Sequence, residues 1–425
     1  MKIVHPICCG IDVHKKFLVA TIVSAEKAPA LTYQKKRFST FNRSLRELRD
    51  WLVANRCYDA CMESTGKYWV PVFNILEQDI RVVIANPKWV RAIKGNKDDV
   101  KDSKWIGELF CFGLVKSSFI PEKPVRILRE FTRYRSKLVA NRASEKNRFQ
   151  NGFTVCNIAL DSVVSDMFGV SASGITNYLL TEADPDPSAC TAFLRGSLRK
   201  KADEVVGSVE GCCLTEDQKW RMLKTREHME FIDKSIGEID ERLDSLVKPY
   251  EPAVHLLCTI PGVKRESAIT ILSEIGTDMA QFSSSRKLCC WAGLTPGNNQ
   301  SAGKKKTVRI TRAGVYLKPC LVEVAHAAVK CKSQPYYRNK YERIARRRGK
   351  KRALIAIARM ILTAIYHMLT NGEIFNPSDW KQEELPNMLR KQKKESIRHA
   401  VKLLKRSTPL PEDLDARLQQ LIDCA

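Results

Sequence analysis

The sequence predicts an α/β domain at the N-terminus followed by an all-α region, and three observations predict this fold class. Short runs of β-forming residues alternate with helical patterns over the first 120 residues. Long helical segments with charged faces occupy most of the remaining chain. The 425 residues are 44% hydrophobic and 28% charged, which is ordinary for globular proteins and excludes global disorder.

The first 120 residues predict a mixed sheet with the element order β-β-β-α-β-α-β-α. Runs of β-branched and apolar residues that end in turn residues predict the strands. Apolar residues at helical spacing, such as Leu45, Leu48 and Leu52, predict the helices. The predicted strands cover residues 7–11, 16–23, 31–38, 57–62 and 81–85, and the predicted helices cover residues 42–54, 70–76 and a segment around Trp105.

The helical region that follows contains one segment with apolar residues at heptad-like spacing. This spacing predicts pairing with another helix. The partner helix lies either in the same chain, as in a helical bundle, or in another subunit, as in a coiled coil. The apolar positions are Met229, Ile232, Ile236, Ile239, Leu243 and Leu246.

These patterns predict four regions of the chain. Residues 1–124 form the α/β domain, and residues 125–250 form a helical or coiled-coil linker. Residues 251–376 form a compact helical domain around a loop rich in glycine, asparagine and lysine. Residues 377–425 form a basic helical tail.

The sequence also predicts a cytoplasmic protein without a membrane span. The longest apolar stretch, residues 353–369, contains Arg359 and His367, and Asp12 lies where a signal peptide needs apolar residues. The 15 cysteines form no C-x-x-C motif, which disfavours zinc sites and indicates thiols of a reducing compartment.

The net charge of +25 indicates a polyanionic partner. Residues 301–360 contain 18 lysines and arginines but only two acidic residues, so +16 of the net charge lies there. Nucleic acid is the partner that such a charge density favours, and an anionic membrane surface is the weaker alternative.

Four acidic residues form a candidate metal site in the α/β domain: Asp12, Glu63, Asp99 and Asp102. The first two end predicted strands, and the last two have the i, i+3 spacing that places side chains on one helical face. Asp98 is a one-residue alternative to Asp99, which the spacing favours. Several carboxylates together can hold divalent cations that polarise a phosphodiester. A single acid at a strand end is also typical of a turn, and acids in a first helical turn are also typical of a solvated helix end.

The helical domain contains two candidate nucleic-acid contacts. Residues 258–276 predict a helix end, a Pro-Gly turn and an amphipathic helix, with Lys264 in the turn, an arrangement that offers backbone amides to phosphate. Ser301 lies in a loop of small residues, where nearby cations favour nucleophilic attack on a phosphodiester. The alternative is a solvated loop that only contacts phosphate. The cations that follow Ser301 are Lys304, Lys305, Lys306, Arg309 and Arg312.

Motifs from both domains resemble the insertion-sequence-110 group of DEDD transposases, which are also described as bridge-RNA-guided serine recombinases. The N-terminal motifs are GIDVHK, MESTGKYW, and VIANP followed by NKDDVKDS. The C-terminal motifs are IPGV followed by SEIG, and AGLTP followed by QSAGKKK and RITRAG. The resemblance covers residues 1–150 and 250–376 and places the family's four acids at Asp12, Glu63, Asp99 and Asp102 and its serine at Ser301.

This resemblance implies a RuvC-like, ribonuclease-H-like fold whose acids bind Mg²⁺, and a transposase domain that carries the nucleophilic serine. It implies a covalent phosphoserine link to DNA, with the acidic tetrad of a partner subunit completing the site. It also implies a tetramer built from dimers, and a structured RNA that pairs with donor and target DNA. The chain departs from the family pattern at Lys264, in residues 151–214, which resemble an insertion, and in its longer tail.

We therefore predict a DNA transposase and recombinase. Two alternatives use fewer of the motifs. A Mg²⁺-dependent, structure-selective nuclease would hydrolyse DNA with the four acids alone, and a non-enzymatic nucleic-acid-binding protein would use only the cations. Only the recombinase forms a covalent adduct with DNA.

Overall fold

The computed structural model describes residues 2–26, 30–64, 66–90, 99–212, 214–297, 299–302, 304–307, 309–377 and 379. For residues 88–89, 99–101, 299–301 and 304–307 it describes the backbone alone. The chain forms two units, Met1–Pro121 (unit 1) and Glu122–Ala425 (unit 2).

Unit 1 contains a five-stranded mixed sheet with the strand order β3-β2-β1-β4-β5. The strand β1 pairs antiparallel with β2 and parallel with β4, while β2–β3 is antiparallel and β4–β5 is parallel. The predicted α/β class is therefore confirmed. The elements are β1 (Ile7–Val13), β2 (Phe17–Ser24), β3 (Thr32–Ser39), α1 (Asn42–Ala54), β4 (Asp59–Glu63), α2 (Trp69–Leu76), β5 (Arg81–Ala85), α3 (Pro87–Val90) and α4 (Asp99–Cys111).

The two faces of this sheet pack against different helices. Leu45 and Leu48 of α1 join one core, which also contains Ile11 and Val13 of β1. On the other face, Ile106 of α4 packs in a second core with other apolar residues from the sheet. Since successive strand residues point to opposite faces, the even-numbered residues of β1 face α4.

The helix α4 lies unusually close to β1. A Cβ atom at Gly10 would lie 2.1 Å from the Ser103 carbonyl oxygen and 2.3 Å from the Gly107 nitrogen. The same crossing is joined by a buried hydrogen bond of 2.8 Å between the hydroxyls of Thr21 and Ser103. Glycine is the residue that permits such a backbone approach, and the position of α4 on the sheet is therefore set by packing.

Unit 2 is mostly helical, and its central part contains a short two-stranded sheet. Its helices are α5 (Lys123–Thr154), α6 (Leu160–Val163), α7 (Val170–Thr181), α8 (Ala202–Val209), α9 (Glu216–Val247), α10 (Glu251–Cys258), α11 (Arg265–Ile275), α12 (Ser285–Trp291), α13 (Leu317–Lys330), α14 (Tyr336–Arg348) and α15 (Lys350–Asn371). The strands are β6 (Asn299–Ser301) and β7 (Lys304–Thr307), and short 3-10 helices cover Pro187–Phe193, Gly196–Lys201 and Lys248–Tyr250.

The helices α5 and α9 form an antiparallel pair. Arg135 donates to Asp240 at 3.0 Å, and seven residues further along α5, Arg142 donates to Asp233 at 2.6 Å. Five of the six heptad positions are buried on α9: Met229, Ile232, Ile236, Ile239 and Leu243. The apolar stripe of α9 therefore packs within the same chain, as the bundle alternative predicts.

The far end of this helix pair carries a small helical core of its own. Phe149 and Phe153 of α5 and Met222 of α9 pack against residues of α6, α7 and α8. The segment 151–214, in which the chain departs from the family pattern, folds around this core. It forms a helical cap on the end of the α5–α9 pair.

A buried ion pair joins α5 to α11. Glu274 is 3% exposed, and its carboxylate accepts two hydrogen bonds from Arg133, at 2.7 and 2.8 Å. Arg129 donates to the backbone carbonyls of Ser273 and Glu274, and burial lowers the pKa of its guanidinium to about 10. The bidentate geometry fixes the angle at which the two helices cross.

The helix α15 is long and apolar enough, by length and composition alone, to cross a membrane, and it is the one described helix of that kind. Its residues Ala353, Ile357, Ile361 and Ile365 are buried inside unit 2. Packing in a folded core therefore explains its composition.

Candidate active site

Asp12 and Glu63 lie side by side at the carboxyl ends of two neighbouring strands. The strands β1 and β4 are parallel, and Ile11 is paired with Met62, so the next residue of each strand is an acid. Ile11 and Met62 both face the core beneath α1 and α2, which places the two acids on the opposite face, toward α4. The sequence prediction that these acids converge is consistent with this geometry.

Asp12 forms a contact that the sequence analysis missed. His14 lies two residues later on the hairpin, and its Nε2 atom is 3.0 Å from Oδ2 of Asp12. The Asp12 side chain is 16% exposed, and the His14 ring packs against Phe17. His14 belongs to the GIDVHK motif, so its proximity to Asp12 was the available signal.

Asp99 and Asp102 lie in the first turn of α4. Asp99 is the first residue of the helix, and its side chain lies outside the described atoms. Asp98, the alternative to Asp99, lies outside the described residues. Asp102 precedes Ser103, which contacts both Gly10 and Thr21, so the fixed crossing of α4 over β1 also fixes the turn that carries Asp102.

The donor chemistry of these four residues suits Mg²⁺, which prefers carboxylate oxygens. No three His, Cys, Asp or Glu side chains within the described ranges lie close enough together to hold a metal ion. Mg²⁺ commonly takes one or two carboxylates and fills its other positions with water and phosphate oxygens. The adjacent pair of Asp12 and Glu63 fits that requirement.

Cysteines on the same strands do not compete for this role. Burial raises the pKa of the Cys61 thiol to about 12 and also raises the pKa of Cys8 and Cys9. Thiols with such pKa values stay protonated near neutral pH, whereas metals bind the thiolate. Each of the described cysteines is free of disulfide bonds.

Ser301 is the last residue of β6, and its backbone pairs with Lys304 of β7. Ala302 has a φ of 49°, so the turn between the two strands uses the left-handed region. The side chains of Ser301, Lys304, Lys305 and Lys306 lie outside the described atoms. Ser301 belongs to unit 2, whereas the four acids belong to unit 1.

The ends of the serine-bearing loop are joined by backbone hydrogen bonds. Pro296 forms an isolated antiparallel bridge with Ile310, and the Gly297 N–H donates to the Arg309 carbonyl at 3.1 Å. Lys318 donates to the Thr311 carbonyl at 2.8 Å. The loop therefore extends from a base at which the AGLTP and RITRAG segments are joined by hydrogen bonds.

The other predicted nucleic-acid contacts are on the surface. Lys264 is exposed and precedes α11, where its N–H donates to the Ser267 hydroxyl at 2.9 Å. Arg309 and Arg312 are also exposed. The predicted Pro-Gly turn between two helices is present between α10 and α11. At the start of α12, the Ser284 hydroxyl accepts a hydrogen bond from the Lys287 N–H and caps the helix.

A cationic surface lies at the junction of α14 and α15. The sequence-based prediction of nucleic-acid contacts did not include it. Seven of the ten residues from 343 to 352 are basic, and all seven are exposed. Within the part of the chain that the structure describes, no carboxylate forms an ion pair with any of them. We call this set the α14–α15 cationic surface: Arg343, Arg346, Arg347, Arg348, Lys350, Lys351 and Arg352.

Comparison with known protein families gave two matches, one over the range that contains the four acids and one over the range that contains Ser301. A family model described as "Transposase", of the DEDD type, matches residues 9–157. A second, described as "Transposase IS116/IS110/IS902 family", matches residues 254–342. The chain belongs to the IS110 family of transposases.

Two relatives of this IS110-family transposase match over part of their length. The transposase for insertion sequence element IS1111A of Coxiella burnetii is 29% identical over 151 residues, which cover 34% of this chain and 40% of that protein. The uncharacterized 42 kDa protein of insertion element IS900 from Mycobacterium paratuberculosis is 28% identical over 153 residues, covering 35% and 37%. Each match thus spans two fifths or less of the relative.

In this IS110-family transposase, the two family ranges separate the four acids from Ser301, as the two units of the structure also do. The range 9–157 contains all four acids together with the sheet and α4, and the range 254–342 contains Lys264 and Ser301. Between them lie residues 158–253, which form the helical cap and α9. The mixed sheet followed by helices agrees with a RuvC-like domain and a helical C-terminal region.

Proposed function

We propose that this chain is a transposase that cuts and rejoins DNA through a covalent phosphoserine intermediate. Asp12, Glu63, Asp99 and Asp102 hold Mg²⁺, and Ser301 is the nucleophile. The observation that carries the proposal is the adjacency of Asp12 and Glu63 at the ends of two parallel strands, on the face that α4 covers. Family membership supports the assignment of both the acids and the serine.

The chemistry assigned to Ser301 is transesterification. The Ser301 hydroxyl loses its proton, its Oγ forms a bond to phosphorus, and the bond from phosphorus to one sugar oxygen breaks. The released sugar oxygen takes up a proton. A hydroxyl of another DNA end then loses its proton and its oxygen forms a bond to the phosphorus of the phosphoserine. The bond from phosphorus to Ser301 Oγ breaks, the serine oxygen takes up a proton, and the DNA is rejoined without a net loss of phosphodiester bonds. Bound Mg²⁺ supplies electrostatic stabilisation of the phosphoryl oxygens.

The chain's own residues position this reaction. Asp12 and Glu63 provide fixed anionic oxygens because β-pairing sets their separation. His14 restrains the Asp12 carboxylate through its contact with Oδ2. Gly10, Thr21 and Ser103 hold the first turn of α4 against the sheet.

The proposed partners are donor DNA, target DNA and a structured guide RNA that pairs with both. Base pairing would supply sequence specificity, and the protein would contact the phosphate backbone. The exposed α14–α15 cationic surface supports backbone binding. We also propose assembly of dimers into a tetramer, in which the acidic tetrad of one subunit acts with Ser301 of another. The site of action would be the cytoplasm, on nucleic acid.

A covalent-adduct assay tests the proposed nucleophile. With Mg²⁺, labelled element-junction DNA and RNA transcribed from the flanking non-coding region, wild type is expected to give a protein–DNA adduct on a denaturing gel. Ser301→Ala should give none, because it removes the only oxygen that joins protein to phosphorus. Ser283→Ala, which changes an exposed serine in the same unit, should leave the adduct unchanged. Cleavage by Ser301→Ala that leaves free DNA ends would instead identify a hydrolytic nuclease using the four acids and water.

A second prediction concerns the α14–α15 cationic surface. The triple variant Arg346→Gln, Arg347→Gln and Arg348→Gln is expected to bind duplex DNA about 10-fold more weakly near 0.15 M salt, or about 1.4 kcal/mol. The slope of log affinity against log salt should fall in magnitude by about 2.7, since each lost phosphate contact removes about 0.9. Fluorescence anisotropy over a salt series measures both quantities.

The control removes three cations from another exposed basic run of unit 2. Arg199→Gln, Lys200→Gln and Lys201→Gln change the net charge equally at the 3-10 helix Gly196–Lys201. Equal loss of affinity in the two triple variants would show that total charge, and not the α14–α15 cationic surface, determines binding.

A further inference from the structure

A groove of about 1380 Å³ runs along α15 in unit 2. Its floor is apolar and is formed by α15 side chains that the core leaves partly exposed, together with the buried Met368 and with Phe375 beyond the helix. The partly exposed α15 residues are Ile355, Ala356, Met360 and Ala364. A groove of this size with an apolar floor accommodates an amphipathic helix. We call it the α15 groove.

Cations outnumber acids at the rim of the α15 groove, where Glu373 and Asp379 are the acidic residues. Arg348, Lys351, Arg352 and Arg359 line it and are exposed, and no described carboxylate forms an ion pair with them. Arg348, Lys351 and Arg352 also belong to the α14–α15 cationic surface. An occupant of the α15 groove should therefore combine an apolar face with negative charge.

The described chain ends in the wall of this groove. Asp379 lines it, accepts a hydrogen bond of 2.8 Å from the Tyr336 hydroxyl, and pairs with Lys340. The 46 residues that follow Asp379 in the sequence therefore start at the groove itself. A covalently attached segment is present at a high effective concentration, so it competes well with free ligands.

The sequence of those residues contains one segment that fits the groove. Residues 411–425 (PEDLDARLQQLIDCA) contain four acids and one arginine, whereas residues 380–410 contain nine basic and three acidic residues. The basic part has the same sign of charge as the rim, so repulsion disfavours it. We call residues 411–425 the acidic segment.

The acidic segment also has the pattern of an amphipathic helix. Leu414, Leu418, Leu421 and Ile422 follow the i, i+4, i+7, i+8 spacing that forms one helical face. Pro411, followed by two acids, is typical of a first helical turn. A helix of 15 residues spans about 22 Å, which is shorter than the roughly 33 Å of α15.

We propose that the acidic segment docks in the α15 groove of its own chain, with its leucines on the apolar floor and its carboxylates at the cationic rim. A random-coil chain as long as the intervening 31 residues has a root-mean-square span of about 30 Å, which is enough to return the segment along α15. The carboxylates then occupy cations that the proposed function assigns to nucleic acid. The docked segment therefore competes with nucleic acid, and this second consequence rests on the proposed function.

Photo-cross-linking of the full-length protein tests docking without nucleic acid. A diazirine-bearing lysine analogue replaces Lys351 at the rim, or, as a control, the exposed Lys330 of α13. Lys351 should cross-link to a peptide within residues 411–425 in the band of monomer mass, and Lys330 should not. A cross-link found only in a band of dimer mass would assign the groove to a second copy. A cross-link to residues 380–410, or none to the acidic segment, would overturn the proposal.

Two matched double variants test the competition. Leu418→Asp with Leu421→Asp removes the apolar face, and Gln419→Asp with Gln420→Asp adds the same charge to the polar face. If docking blocks nucleic acid, the first variant binds duplex DNA about 10-fold more tightly than wild type despite its added negative charge, and the second binds no more tightly. Weaker or unchanged binding by both variants would overturn the competition. Absence of DNA binding by every protein would count against the proposed function, while the cross-links still decide docking.

Discussion

Asp12→Asn is expected to lower the rate of DNA cleavage by about 10³-fold, or about 4 kcal/mol in the activation barrier. Asparagine has nearly the same shape and can still accept a hydrogen bond from His14, so the strand and its hairpin should persist. It lacks the negative charge that holds a divalent cation beside Glu63. Single-turnover cleavage of labelled junction DNA, in the presence of Mg²⁺ and the element's RNA, measures the rate.

A second readout of the same variant does not depend on activity. Mg²⁺ that binds the folded protein raises its unfolding temperature, and this rise should be much smaller for Asp12→Asn than for wild type. The matched control is Asp50→Asn, which removes the same charge from an exposed residue of α1 that pairs with Arg49. If Asp12→Asn keeps both its cleavage rate and its Mg²⁺ response, the acids of unit 1 are structural, and the metal-dependent mechanism is wrong.

Gly10→Ala is expected to destabilise unit 1 by about 3 kcal/mol or more, which corresponds to a fall in unfolding temperature of roughly 10 °C. The added Cβ would lie 2.1 Å from the Ser103 carbonyl oxygen, a distance that real Cβ atoms do not adopt. The clash involves backbone on both sides, so no side chain can rotate to relieve it. Either the helix α4 moves off the sheet, or β1 bends.

Because α4 carries Asp99 and Asp102, we expect the same variant to lose catalysis even at temperatures where it remains folded. Gly237→Ala is the control for stability, since this exposed glycine lies within α9 and its Cβ would meet nothing within 4 Å. That change should be neutral or stabilising by up to about 1 kcal/mol, because alanine favours a helix. Calorimetry measures the unfolding temperatures of Gly10→Ala and Gly237→Ala, and Gly10→Ala should have the lower one. Equal unfolding temperatures would mean that the approach of α4 to β1 is looser than the structure has it.

The local pattern of the sequence was sufficient to predict the five strands of unit 1 and the helices α1, α2 and α4, but it missed the short helix α3. The helix α1 was predicted from Leu45, Leu48 and Leu52, which are buried as expected. The antiparallel pair of α5 and α9 was predicted only in part, because heptad spacing identifies a buried face and not the helix that covers it. The charged contacts that select α5 lie 105 and 91 residues apart in the chain, beyond the reach of any local pattern.

Local signals in the sequence also pointed to the candidate site, and the roles of its residues stay a prediction. The spacing of Asp99 and Asp102, and the strand-end positions of Asp12 and Glu63, pointed to one edge of a sheet. The role of Gly10 depends on a helix that lies more than 90 residues away, so its only local signal was a glycine inside a strand. The α15 groove depends on which apolar residues of a long helix the core leaves uncovered, and composition does not contain that information.

The contact between Gly10 and α4 has a consequence for how this chain can change over generations. Gly10 and Asp12 are two residues apart on β1 and lie on the same face, yet the proposed mechanism and the packing of α4 constrain them differently. A backbone atom of α4 excludes every side chain at position 10, whether or not the protein acts on DNA. In the proposed mechanism, the acid at position 12 serves phosphate chemistry and not packing. A descendant selected only to fold and bind nucleic acid could lose Asp12 at little cost in stability, whereas it would have to keep Gly10.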